Sequence, residues 1–217
     1  MDFKKLFDFL EALAKNNSKL WMDNNRKRYR EIREEFILWL DDVDQTLAGL
    51  DQYYYPTPGK KGINRINNNL MFHPNKPVYK DHFGAGLDKA PGTGDFYIQI
   101  GINESLLAGG IWRPEPKALR SIRDAIDYNG EELLKIINKE SFKTSFGSLY
   151  VDEKLKSAPK GFTKEHPYLD LLQHKSFGVV YPLTKEQVLS DDFKESIIDV
   201  YKEMLPFRRY LNNALTV

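Results

Sequence analysis

The sequence predicts an α+β protein, an antiparallel central sheet with N-terminal and C-terminal helices packed against it. Three observations carry that reading. Helical periodicity dominates both ends of the chain, two-residue alternation is confined to the middle, and no regular βαβα succession links them. At 217 residues the chain fits a single domain, 1–217. A chain of this length buries roughly 70% of its unfolded surface, enough for a core without disulfides or metals.

Taken in order, Phe3, Leu6, Phe7, Leu10 and Leu13 recur at helical spacing and make residues 2–15 an amphipathic helix. "KNNSKL" breaks it, with Asn17 or Ser18 as the next N-cap. From about Asp23 a long helix runs to Gly49, its buried stripe formed by Tyr29, Ile32, Phe36, Trp39, Leu40, Val43 and Leu47 and its other face charged and solvated. "YYYPTPGKKG" is a turn or loop. Residues 63–72 read as a strand, although Asn67 to Asn69 are poor strand formers. "HFGAGLDKAPGTGD" reads as a glycine-rich surface loop. "DFYIQIGIN" alternates cleanly and "SLLAGGIWRP" is its hairpin partner. Pro114 opens a helix carrying Leu119, Ile122 and Ile126, and a second helix follows over 130–139. "SFKTSFGSLYVDEKLKSAPKGF" reads as short strands and turns, "HPYLDLLQHK" as a brief helix and "SFGVVYPL" as a buried strand. Thr184 caps a turn, and Asp191 to Asn213 is a helix split or kinked at Pro206.

Composition excludes several function classes. Net charge is +1, from 32 basic and 31 acidic residues that interleave along the chain, which argues against a nucleic-acid partner. The absence of cysteine removes disulfides, thiolate nucleophiles and Cys-ligated metals. The charge-interrupted N-terminus is no signal segment, and no run approaches the roughly 20 apolar residues that a span requires. The expectation is a cytoplasmic protein with no membrane partner. "GAGLDKAPGTG" lacks the strand–turn–helix setting of a dinucleotide fingerprint, and there is no Walker A motif. The four histidines show no metal-ligand spacing; His73 and His82 with Asp81 would have to assemble in space, and a cap is the plain role of His166 before Pro167. No GxSxG elbow and no strand-end carboxylate pair stands out. Neither a metal nor a cofactor is assigned, and no catalytic residue.

The stretch "RINNNLMFHPNKPVYK", Arg65 to Lys80, remains. Pro74 and Pro77 are expected to hold "HPNKPVYK" extended and stiff, with Lys76 and Lys80 on one face and Tyr79 on the other. Cations and a hydroxyl beside Arg65 suit a phosphate or carboxylate. Gly109 and Gly110 next to Trp112 suggest a close backbone approach, by a neighbouring strand or a ligand. Arg123 lies one step from the apolar face of its helix, placed to reach a buried carboxylate or a pocket.

Arg65-Ile66, Phe72, Lys76 and Tyr79-Lys80, then "GGIWRPEPKALRSIRDAI" and "PKGFTKEHPYLDLLQHKSF", resemble the family known as domain of unknown function 2461. "FLEALAKNNSKLWMDNNRKRY" does too, so the resemblance covers nearly the whole chain. It implies no established activity. The family's central motif runs approximately Arg-x-x-Arg-Asp-x-Arg-Phe-x-x-x-Lys-x-x-Tyr-Lys. Arg65, Phe72, Lys76, Tyr79 and Lys80 match it, whereas Asn68, Asn69 and Met71 replace arginine, aspartate and arginine. If that motif is catalytic, the departures leave a member that binds without turnover.

The reading that follows is a small anionic or polar ligand held in a cationic–aromatic pocket of Arg65, Lys76, Tyr79 and Lys80, with Trp112, Arg113 and Arg123 as walls. Were it an enzyme, Lys76 or Lys80 would stabilise developing negative charge and Tyr79 would serve as acid or base. The alternative is a protein-interaction module without small-molecule chemistry, favoured by the tyrosine run 53–55 and the charged helix 23–48.

Overall fold

A computed structural model describes residues 1–215 of the protein. Asp2 accepts from the Lys5 amide and so starts α1 (Phe3–Lys15). Ser18 does the same for the Trp21 amide at α2 (Lys19–Asn24). Asn25 then leaves helical geometry (φ −107°, ψ 14°), so the long helix expected from Asp23 becomes α2 followed by α3 (Arg26–Ala48). The chain continues through a single turn, α4 (Gly59–Gly62), then β1 (His82–Leu87), β2 (Asp95–Gly101) and β3 (Ser105–Ile111). After these come α5 (Pro116–Asn138), α6 (Glu140–Phe146), α7 (Leu169–Leu172), β4 (Phe177–Leu183), α8 (Lys185–Leu189) and α9 (Phe193–Ala214). The strands form one antiparallel sheet in the order β1-β2-β3-β4, with helices at both ends of the chain, which makes the protein α+β.

Several elements differ from their sequence reading. β1 lies inside the stretch that reads as a glycine-rich loop, because its glycines serve close packing. A Cβ on Gly84 would run into the Tyr97 ring, and one on Gly62 would lie 2.8 Å from the Gly86 carbonyl oxygen. The strand expected over 63–72 reduces to isolated antiparallel bridges, Ile63 to Ala85 and Asn67 to Tyr79. α6 replaces the strands expected from Ser141, burying Phe142 and Phe146 at i, i+4 spacing. The helices on either side of Asn129 are joined across a kink at that residue (φ −143°, ψ 45°). α9 continues through Pro206. Thr184 does cap its helix, with a full capping box to Gln187.

Contacts divide the chain into two compact units. The first contains Met1–Lys89, Tyr97–Leu107 and Pro182–Ile198. Its spine is α3, along which aromatic rings form a continuous series. Phe9 packs on Trp21 and Tyr29, Tyr29 on Phe83 (6.1 Å between centroids), Phe83 on Phe36 (5.4 Å) and Phe36 on Trp39. The buried Asp44 carboxylate accepts from the Tyr54 hydroxyl at 2.5 Å and the Thr57 amide at 3.0 Å, fixing the loop after α3.

The second unit contains Ala90–Phe96, Ala108–Tyr181 and the chain from Asp199 on. Phe96 meets Tyr201 edge-on at 5.2 Å, and Phe142 packs on Phe207. The Tyr210 hydroxyl bridges the kink in α5, donating to the carbonyls of Ala125 and Asn129, each at 3.2 Å; burial pushes its pKa up to about 12. Gly110 (φ 120°) occupies a region that side chains avoid, and a Cβ there would strike the Phe177 carbonyl of the adjacent β4. The close approach expected at Gly109 and Gly110 is that of a neighbouring strand at Gly110, whereas at Gly109 the nearest atoms are the Met204 and Arg208 side chains of α9. Gly110→Ala therefore combines backbone strain with a clash that rigid backbone cannot relieve, and about 3 kcal/mol or more of stability is lost. Urea unfolding would show this as a lower midpoint at an unchanged slope.

Candidate functional site

The stretch from Arg65 to Lys80 folds back on itself beside β1. Asn64 donates its amide to Gly84 O at 2.7 Å, Lys80 donates to Ile66 O at 2.8 Å, and Asn68 donates to Val78 O at 3.0 Å. Two turn bonds close the tip, His73 N–H to Asn69 O (3.0 Å) and Lys76 N–H to His73 O (3.1 Å). Pro74 thus sits in a turn, and the extended backbone expected over the whole of 73–80 is confined to its end. The asparagines have a local reason to be there. Asn68 also donates its side-chain amide to Pro77 O at 2.9 Å, reinforcing the ladder where proline supplies no donor.

Tyr79 is the anchor of this arm. Only 4% of it is exposed, and the Asn17 side chain clasps its backbone, Oδ1 accepting the Tyr79 amide at 2.9 Å and Nδ2 donating to the Tyr79 carbonyl at 3.0 Å. Its phenol lies close enough to Tyr29 of α3 for the two to influence each other. Burial pushes the Tyr29 phenol up, while Arg33, hydrogen-bonded to it, pulls the other way. Asn17 and Tyr29, expected only as a helix cap and a core residue, and Arg33 were not expected beside Tyr79; the signal available was the four-residue spacing of Tyr29 and Arg33 on one helix face.

Around this anchor stand three cations. Lys80 is half-buried and turns its Nζ onto the Arg65 carbonyl at 2.8 Å. Burial, then the charges of Arg65 and Lys76, depress its pKa below the ordinary lysine value. Among the described residues no carboxylate ion-pairs with Arg65, Lys76 or Lys80. The interleaving of opposite charges also fails here, since Lys60, Lys61, Arg65, Lys76 and Lys80 share the span 52–80 with no aspartate or glutamate. Beyond Lys80, the Asp81 carboxylate takes one hydrogen bond from His82 Nδ1 (2.9 Å) and one from Asn103 (2.6 Å). Burial alone would raise Asp81, but these bonds outweigh it and hold the carboxyl low. No group of three or more metal-ligating side chains forms among the described residues.

The other three candidates belong to the second unit. Trp112 is exposed, packs on Tyr150 at 5.2 Å and lies under the Arg113 guanidinium at 5.7 Å. Arg113 occupies the left-handed region (φ 45°), donates its amide to Ser176 Oγ at 3.0 Å and its Nε to Asp152 at 3.1 Å. Its charge is neutralised there. Arg123 donates to the carbonyls of Leu172 (2.8 Å) and His174 (3.3 Å), capping the end of α7. An open groove of 820 Å³ between α5 and α9, walled by Tyr128, Ile136, Pro206 and Tyr210, includes none of the seven candidates.

Arg65, Lys76, Tyr79 and Lys80 are therefore gathered on one arm, and of the other three only Trp112 and Arg113 touch each other. In comparisons with known proteins, the model of a family described as "Conserved hypothetical protein (DUF2461)" matches residues 5–210. No curated protein and no solved structure matches the chain.

Two outcomes follow from the arm. Asn17→Ala leaves the buried Tyr79 amide and carbonyl without their partner and costs about 2 kcal/mol in chemical denaturation. For Lys80 the sign is set by its depressed pKa: the unfolded chain holds the proton more tightly, so the charged residue opposes folding at neutral pH. That opposition fades as pH rises towards the ordinary lysine value of about 10.4. The stability of the parent protein relative to Lys80→Met therefore increases between neutral and alkaline pH, and a flat difference would contradict the depressed value.

Proposed function

The chain belongs to the DUF2461 family, and we propose that it binds a small, multiply charged anion at Arg65, Lys76 and Lys80. One observation carries the reading. Lys80 is half-buried against two further cations with no carboxylate to balance them, an arrangement that opposes folding unless a negative charge arrives. Guanidinium and ammonium groups in such a cluster suit phosphate or carboxylate oxygens, the arginine by its planar fork and the lysines as point charges.

Tyr79 serves this site as its anchor, buried and clasped by Asn17, while Arg65 and Lys76 are exposed and open to a ligand from solution. The reading is one of binding, with the buried Tyr79 acting as a support rather than as an acid or base. Trp112, Arg113 and Arg123 are left out of it, since Arg113 is neutralised by Asp152 and Arg123 is engaged by main-chain carbonyls. Among the described residues no helix is long and apolar enough to cross a membrane.

Inorganic pyrophosphate is the probe. It raises the melting temperature of the parent protein in a concentration-dependent way, and Lys76→Ala/Lys80→Ala requires a ten- to hundredfold higher concentration, roughly the worth of one charge-assisted hydrogen bond. An equal response in the double variant would overturn the assignment.

A further inference from the structure

The arm that carries the cations ends in an apolar tip. Leu70, Met71 and Phe72 are consecutive, and they are 36%, 80% and 69% exposed. They are not the end of a loose strand. The two turn bonds at Asn69 and His73, the Asn68 side chain on Pro77 and the clasp on Tyr79 hold the tip out from the body of its unit. Nothing in the binding of a dissolved anion calls for three neighbouring apolar side chains in water.

We propose that this arm docks the protein on an anionic membrane surface, with Leu70, Met71 and Phe72 entering the interface and Arg65, Lys76 and Lys80 taking lipid phosphate groups. The inference rests on the anion-binding reading and names the source of the anion. Two independent features of the segment support it. Its tip is apolar, and its base is cationic with no acidic residue between Asp51 and Asp81, so charge complementarity to an acidic surface extends over the whole excursion and includes the exposed Lys60 and Lys61. A nucleic-acid partner fits less well, because base stacking uses flat rings and two of the three apolar tip residues, Leu70 and Met71, offer none. Surface docking requires no membrane-crossing segment, so it is compatible with the helices described above. A cytoplasmic leaflet rich in anionic lipid is the matching surface.

Co-sedimentation with large vesicles tests the proposal on the full chain. The parent protein binds vesicles of phosphatidylcholine and phosphatidylserine in equal parts, fails to bind pure phosphatidylcholine, and is released by added salt. Met71→Ser/Phe72→Ser weakens vesicle binding about tenfold or more, while its thermal response to pyrophosphate stays intact. Replacing either Arg65 or Lys76 by alanine weakens vesicle binding about fivefold per residue. Indifference to acidic vesicles together with an undiminished pyrophosphate response would overturn the docking inference alone. Loss of both responses in the parent protein would sink the anion reading as well. Vesicle binding that ignores the Met71 and Phe72 substitutions would overturn the insertion of the tip. Capture of an oligodeoxythymidine at the same salt, with vesicles ignored, would assign the arm to nucleic acid instead.

Discussion

A carboxamide fixes the returning end of the arm to its unit. Asn17, in the short break between α1 and α2, reads the backbone of Tyr79 as a neighbouring strand would, with one donor and one acceptor. That pairing supplies hydrogen bonds to a buried residue that the sheet itself does not reach. It also sets the phenol of Tyr79 near Tyr29, at the edge of the ring series that organises α3 against β1. The cations and the tip are thereby held in place from the inside. The bond from Lys80 Nζ to the Arg65 carbonyl and the turn bonds at the tip add local order.

How much of this could be seen in the amino-acid order differs by element. α1 and the stripe of α3 follow from apolar periodicity, and β2 with β3 follows from alternation, because in each case one face is buried and the other is wet. β1 hides because its glycines look like loop residues until Tyr97 is placed over Gly84. The asparagine run misleads in the opposite sense. Its pairing with 77–80 is real, but it depends on a side-chain amide rather than on strand propensity. α6 was missed because Phe142 and Phe146 are too few to declare a period. Of the site, the cations were legible as a local crowd in the sequence, whereas the part of Asn17 in it was invisible, since 62 positions separate it from the residue it serves.

Charge and stability pull against each other on the arm. Desolvation of Lys80 opposes keeping it protonated, and the charges of Arg65 and Lys76 add to that cost. A fold under selection for stability alone would place a carboxylate among them, as it does for Arg113 with Asp152 and for Lys194 with Asp42. Both of those pairs lie on the same chain, so the means were available. Uncompensated charge of this kind is typical of positions retained for what they bind rather than for what they hold together.

The exposed tip also gives the protein a chemical weak point. Of its four methionines, Met22 and Met204 are fully buried and Met1 is 36% exposed, whereas Met71 is 80% exposed. A mild peroxide therefore finds one thioether well before the others. Its product is a polar sulfoxide in the middle of the apolar triplet, a change that methionine sulfoxide reductases reverse. Oxidative damage to this molecule begins at the arm and leaves the core chemistry untouched.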